Sequence, residues 1–542
     1  MFSALLSSVA MALVATVNDP MSHGTLGDGL LSLDEAIQVA NGTLAMNALS
    51  AAEQAQFSGT GMHVGEILLD PTTTPSIMVQ APITPLTAGG HMTGVVMIRS
   101  ADPMAHVMLM GNTQPTVMSL RSHFAHIEGI HFMGGGVGLD IRMGMMGTTM
   151  PHMGMVHHCM FSMQSVAGVR AHGTADDETM AMLDHCHFDT MNVGIVIDDN
   201  TTSGMVMVEG EHVKFDGVRL GADVQANGSG LMSMLFLFRS DFVNGEMLAR
   251  SRRAAGATGQ FMFRFVHTDA VCTGDVVDIQ GSPTALTMVH HHHGDFVASN
   301  GGKAFYCHPK SSDFDIHGSE MAFDGDVDIA GSRFTVRVWQ QNNRYRNGTV
   351  RYDVDGALPN LLWNHYENCT IDVPAAARSP VTIRSSEFLS TSVSANSVFA
   401  PVQLVGCYRS GGTLGGAATE SQPAPARFLG TTTVGPEDPL VGGTVQLNTD
   451  LPVGVGLVWD LALSISRPIT TAEPVRLYAD FSTAVVLHGL YALQSQLTIT
   501  IPNLPVLVGT EFYFQGVSFP LFGQAFVPPF HLPRGTRVTP RI

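Results

Sequence analysis

Basic residues are scarce in this chain of 542 residues. Lys and Arg total 27 against 46 Asp and Glu, and only Lys214, Lys303 and Lys310 are lysines. A net charge of -19 with no basic run to offset it argues against a nucleic-acid partner. Cysteine is also sparse. The six, Cys159, Cys186, Cys272, Cys307, Cys369 and Cys407, are too few and too scattered for a disulfide framework. Cys159 and Cys186 fall at one phase of the pattern described below, which leaves a bridge or a pair of buried thiols, the thiols being the plainer reading. No HExxH and no CxxC occurs, so the ordered spacing of a zinc site is missing. Long apolar runs are confined to the start, MFSALLSSVAMALVATVNDP. That stretch resembles a secretory signal, with cleavage expected after Ala15, although it lacks the usual basic n-region. It is too short to span a bilayer comfortably, and the chain is read as not membrane-spanning.

What the chain does have is a period. In rows of 27 residues, Phe161, Phe188, Phe215, Phe242, Phe296 and Phe323 share one phase, with Asp269 as the single miss. Eight residues earlier runs Met153, Met180, Met207, Met234, Phe261 and Met288. Three residues before the Phe runs His158, His185, His212, Arg239, Val266 and His293. A fixed period means that each unit stacks on its neighbours. Within a row, short apolar runs such as Val193–Ile197 alternate with Gly, Asn and Asp, which is strand and turn chemistry with no room for a ten-residue helix. The expected fold is therefore all-β, a parallel β-helix in which side chains of equal phase stack about 4.8 Å apart. Beyond Phe323 the strict period fails. Tyr345, Cys369 and Phe388 are read as continuing the phase in smaller coils.

Ahead of the repeats lies GDGLLSLDEAIQVANG, residues 27–42. Ser32 and Glu35 have the spacing of a capping box, Leu33, Ala36, Ile37 and Ala40 form one apolar face, and Gly42 ends the helix. LSLDEAIQVAN resembles the SLREAI-type N-terminal cap of secreted bacterial right-handed parallel β-helix (pectin-lyase-like) proteins, with Asp34 in place of the usual Arg. The following IMVQAPITPLTAGGHMTGVVMIRSADP resembles the first coils of those proteins. The resemblance spans residues 27 to 410. It implies a right-handed β-helix in a secreted or cell-surface protein and carries little about activity, because this fold hosts adhesins, lyases and hydrolases alike. The domain reading is a signal over 1–15, an N-terminal cap over 27–70 with a helical excursion from residue 43, coils over 71–410, and a linker over 411–426. A β-sandwich-like antiparallel module follows over 427–542. LVGTEFYFQGVSF resembles a C-terminal module of planctomycete and myxobacterial secreted proteins.

Strand alternation puts the Phe and Cys positions inward and the column His158, His185, His212 and Arg239 outward, with His293 on the same face. Outward imidazoles at coil spacing suit contact with an acidic polymer or a metal, and the plainer alternative is a solvated ladder. Within His290–His293, His291 and His293 are expected to face one way. Asp324, Asp326 and Asp328 are oxygen-rich enough to suggest Ca²⁺, but lack the glycine and glutamate of an EF-hand and read more plainly as turn and edge acids; otherwise no cofactor is expected. Asp198, Asp199 and Asp223 are the carboxyls nearest to a glycosidase arrangement on neighbouring coils. However, the Asn-Thr-Asp, Gly-His-Gly and Arg-Ile-Lys motifs of pectin-degrading hydrolases are absent from the coils. Lys214, Arg239 and Arg264 form no lyase set, and Arg250, Arg252 and Arg253 are read as a loop. The expectation is a non-enzymatic protein of adhesion, surface structure or glycan binding, whose partner is a polysaccharide or cell-surface component. The alternative is a polysaccharide lyase or glycoside hydrolase acting on an acidic polysaccharide.

Overall fold

The computed structural model describes residues 12–421 except 89–95, 103–104, 123, 143–152, 332–336 and 356–358, and separate segments of 422–542. The fold is all-β with long parallel sheets, an arrangement compatible with a β-helix or solenoid. The chain divides into two compact units. The first is Met1–Val338 with Asn347–Ala357; the second is Trp339–Arg346 with Leu358–Ile542.

In the first unit a typical coil contributes three strands. The first file runs in parallel through Met153–His157, Glu178–Asp184, Met205–Glu211, Met232–Phe238, Gln260–Val266 and Thr287–Ala298. The second includes Met160–Ser162, His187–Asp189, Lys214–Asp216 and Asp241–Gly245. The third, on its own sheet, includes Ala167–Ala175, Val193–Thr201, Leu220–Ala226 and Met247–Arg253. The Phe column is real and fully buried. It begins one coil earlier, at Phe132, and successive rings from Phe132 to Phe215 lie 4.9–5.0 Å apart nearly face to face. Offset aromatic pairs at this spacing add to their area burial. Cys159, Cys186 and Val213 are buried beside the column, and all six cysteines are free thiols.

Three column assignments change. The residue that follows Phe242 in register is Ala270, not Asp269. Met262 replaces Phe261. The third column continues through His267 rather than Val266, since His267 stacks on His293. One cause explains all three. Ala226 pairs with Arg253, but Met232 pairs with Gln260, so one extra residue sits in the turn Ala254–Gly259. The coil that follows is one residue short, since Ala270 pairs with Phe296, and the period is restored.

The strands start before the N-terminal helix. Leu13–Val17 pairs in parallel with Val64–Leu69, and Ala15 and Val17 are buried. The bond after Ala15 lies inside this strand, while residues 1–11 fall outside the described residues. The helix Leu33–Asn41 has the expected capping box at Ser32 and Glu35, and Gly42 takes the left-handed conformation at its C-terminal end. Leu33, Ala36 and Ile37 are buried; Ala40 is only half-buried. Asp34 accepts the backbone N–H of Thr84 at 2.6 Å and the side-chain amide of Gln38 at 2.6 Å. Over 43–70, helical structure is limited to the single turns Met46–Ala48 and Ala51–Gln54.

In the second unit the coils are shorter. Tyr345 pairs with Tyr366 and Tyr366 with Phe388, so the aromatic file passes through Tyr366 and not Cys369. Its rings again lie 4.9 and 5.0 Å apart. The stretch read as a linker carries two strands. Leu414–Gly416 and Ala418–Ser421 pair in parallel with Ser392–Ala395 and Val402–Val405. Small residues over 411–418 suit a turn between closely spaced strands as well as they suit a tether. Beyond them pairing becomes antiparallel, in Thr432–Gly435 with Thr444–Thr449 and in Leu457–Ser464 with Phe512–Pro520.

Candidate functional site

The third column lies at a corner rather than on a strand face. His158, His185, His212, Arg239, His267 and His293 each have φ between 49° and 54°. The left-handed corner turns the chain between two strands while keeping the coil-to-coil ladder. The N–H of His158 donates to the carbonyl of Asp184, that of His185 to Glu211, that of His212 to Phe238 and that of Arg239 to Val266. Left-handed backbone is costly away from glycine unless neighbouring structure enforces it, and here the ladder enforces it on every coil.

The side chains on this corner form a file. The rings of His158 and His185 lie 5.0 Å apart, and those of His185 and His212 lie 4.4 Å apart and stacked. Arg239 follows, exposed, with its guanidinium 3.2 Å from the Glu211 carboxylate. At the far end the file sinks inward. His293 is 7% exposed, and its Nδ1 lies 2.6 Å from Oε2 of Glu320, itself 2% exposed. His293 therefore does not share the open surface of His158, His185, His212 and Arg239. His291, also buried, is not on that open surface either. It is fully buried, 4.9 Å from the Phe305 ring, and burial pushes its pKa down to about 3. His290 lies on the outer face, stacked 5.0 Å from His317.

A carboxylate stands among the imidazoles, of which His185 is exposed and His157 and His212 are half-buried. Asp184, the last residue of its strand, has Oδ1 2.7 Å from Nδ1 of His185 and 3.6 Å from Nδ1 of His212. Its Oδ2 lies 3.3 Å from Nδ1 of His157, its register partner one coil before. Neither Asp184, His157 nor His267 stood out in the sequence as a site residue. The column immediately before the His column, reading His157, Asp184, Glu211, Phe238, carried the missing signal.

The other candidate acids are engaged elsewhere. Asp324 accepts from the Asn347 amide, Asp326 from the Thr349 N–H, and Asp328 pairs with Lys303 at 3.3 Å. Among the described residues, Asp184, His185 and His212 form the one group whose ligand atoms converge within 4.8 Å, so Asp324, Asp326 and Asp328 are not brought together in that way. Asp223 is buried between Arg250 and Arg252, whose guanidinium groups, against the pull of burial, hold its carboxyl below the usual range. Those arginines lie on the strand Met247–Arg253 and not on a loop, and Arg253 sits 4.5 Å over the Phe261 ring. Asp199 is buried and bonded to Thr201 and Ser233, with its pKa raised by desolvation, while Asp198 accepts from Asn200 and Asn227. Lys214 lies on the outer surface 3.7 Å from Asp216, and Arg264 extends over the Phe238 ring. Comparison with protein-family models, with characterised proteins and with solved structures finds no match for the chain.

Proposed function

We propose that this chain is a secreted or cell-surface right-handed parallel β-helix of pectin-lyase-like type. In this reading the helix Leu33–Asn41 closes its N-terminal end and a sandwich-like module follows the coils. Its work is non-enzymatic, as an adhesive, structural or glycan-binding surface whose partner is a polysaccharide or another cell-surface component. The observation that carries this reading is the open file His158–His185–His212–Arg239, one ring or guanidinium per coil over four coils. A repeating polymer meets a repeating set of contacts on such a file. The engagement of Asp223 by two arginines and the burial of Asp199 support a binding role over a catalytic one, because neither offers a carboxyl to substrate. The sequence resemblance supports the handedness and the location.

Imidazole is the side chain that changes charge between pH 5 and 8. The file also faces Asp184, Glu211 and His157. Binding of an acidic glycan is expected to strengthen from pH 7.5 to 5, to weaken in high salt, and to fall in His185→Ala and Arg239→Ala. A glycan-binding assay across these conditions tests it. Binding that ignores pH and both substitutions removes the file from the function.

One observation favours the second reading, a lyase or hydrolase acting on an acidic polysaccharide. Glu209 and Glu211 sit on the outer face of one strand, and burial together with the neighbouring Glu211 pushes the Glu209 pKa up. A carboxyl raised in this way suits general acid chemistry. Depolymerisation of pectin or alginate by the purified chain, abolished in Glu209→Gln, would establish that reading.

A further inference from the structure

The carboxylate within the imidazole file has a geometry that glycan binding does not require. Three imidazole nitrogens, Nδ1 of His157, His185 and His212, face one carboxylate, that of Asp184. Nδ1 of His212 has no hydrogen-bond partner, since Asp184 lies beyond bonding distance at 3.6 Å. The geometry points to a binding site for a divalent transition-metal ion of the zinc class at Asp184, His185 and His212.

Zinc binds imidazole nitrogen and carboxylate oxygen at about 2.0–2.2 Å, so two ligand atoms on a tetrahedral ion lie roughly 3.4 Å apart. The two nitrogens stand 2.7 and 3.6 Å from Asp184 Oδ1, which brackets that spacing. All three ligand atoms lie within 4.8 Å of one another. The scaffold is rigid where it matters. His185 and His212 occupy the same left-handed corner on adjacent coils, at φ 52° and 54°, and their rings stack 4.4 Å apart. Two nitrogen donors and one carboxylate favour zinc, nickel or copper over calcium or magnesium, which prefer oxygen. Nδ1 of His157 addresses the other carboxylate oxygen, Oδ2, and acts as a positioning residue that orients Asp184. The His185 side chain is 49% exposed, which leaves the remaining coordination positions open to water or to an incoming ligand.

The test is calorimetric titration of the EDTA-treated full chain with zinc chloride in a non-coordinating buffer, with no glycan present. The outcome is thereby independent of glycan binding. The expected result is one equivalent of zinc bound with an affinity that falls at least tenfold in His212→Gln, in His185→Gln and in Asp184→Asn. His157→Gln should weaken it by about tenfold. His308→Ala removes an imidazole paired with Asp278 on another sheet and should leave this binding unchanged. Calcium chloride should give no heat at the site. Circular dichroism of each variant checks that it is folded, and cobalt absorption in the parent chain, indicating nitrogen and oxygen donors in a four-coordinate ion, gives a second readout without substitution. Absence of zinc binding by the parent chain, or binding unchanged in all three ligand variants, would overturn the assignment.

Discussion

Two aspartates on neighbouring stretches of the first unit show how the same residue serves two ends. Asp140 is 2% exposed and lies among Arg121, Arg170 and His172. Asp184 has a side chain 31% exposed and lies among His157, His185 and His212. Each carboxylate has three basic partners reached mainly across coils. Arginine cannot lose its proton in a protein, so Asp140 is permanently paired, and its bonds to His172, Arg170 and Arg121 outweigh burial and hold its carboxyl well below the usual range. Imidazole nitrogen is a common metal ligand and guanidinium is not, so the partners of Asp184 offer donors that those of Asp140 largely lack. Burial with arginine makes a structural cluster; exposure with histidine makes a site open to a ligand.

The interior sets the upper end of this comparison. Phe188 is fully buried between Phe161 and Phe215 at 4.9 and 5.0 Å. Phe188→Ala is expected to destabilise the chain by about 3 to 5 kcal/mol, because the stacked rings cannot close the cavity without breaking register. Urea unfolding of the two chains measures it. A loss below about 1 kcal/mol would mean that the file is not the core.

Asp140→Ala comes next, at about 3 kcal/mol, because it strands Arg121 and Arg170 beside a desolvated hole. The cost is at the low end for a broken buried pair because both arginine side chains are partly exposed. The pH dependence has a defined sign. A carboxyl with a depressed folded pKa contributes stability that is full above about pH 3.9 and is lost as pH falls through the folded value. Urea midpoints measured at pH 4.5 and 2.5 should converge between the parent chain and Asp140→Ala at the lower pH.

How much of this was legible in the sequence depended on what keeps count. Coils of equal length repeat their side chains at equal intervals, and Phe161, Phe188, Phe215 and Phe242 reveal the interval directly. The extra residue in the turn Ala254–Gly259 costs little in a surface loop but shifts the positions of the next coil by one in a fixed frame, until the short coil after it restores the count. That shift hid Ala270, Met262 and His267. Strand alternation also failed at the corner, because a left-handed residue between two strands follows neither strand's parity. His291 and His293 were misread for that reason. Asp184 was missed because its column mixes His, Asp, Glu and Phe, and only the fold shows that these share one neighbourhood.

His291 shows the opposite chemistry to the open file. Its imidazole is held neutral by burial, with a folded pKa lowered to about 3. The unfolded chain takes up a proton near pH 6.5 and the folded chain does not. The stability linked to His291 is therefore fully present above about pH 6.5 and is lost as pH falls from there toward 3. The slope is at most about 1.4 kcal/mol per pH unit for this one group. His291→Phe should flatten the thermal-stability profile between pH 6.5 and 4. An unchanged slope would place the acid sensitivity elsewhere.

The smallest expected effect lies at Asp184 and decides the comparison. Exposed ion pairs contribute about 0 to 1 kcal/mol, and imidazoles left without a carboxylate at a surface are rehydrated by water. Asp184→Asn should therefore change metal-free stability by less than about 1 kcal/mol, against roughly three times that for Asp140→Ala. Urea unfolding of both variants in EDTA at pH 7.5 makes the measurement, and His185→Gln in the same series reports on the imidazole side. The backbone corner depends on the ladder from His185 N–H to the Glu211 carbonyl and not on the side chains, so it survives either change. Should Asp184→Asn cost as much as Asp140→Ala, the carboxylate would be a structural post, and the imidazoles around it would be there to hold the coil and not to meet a ligand.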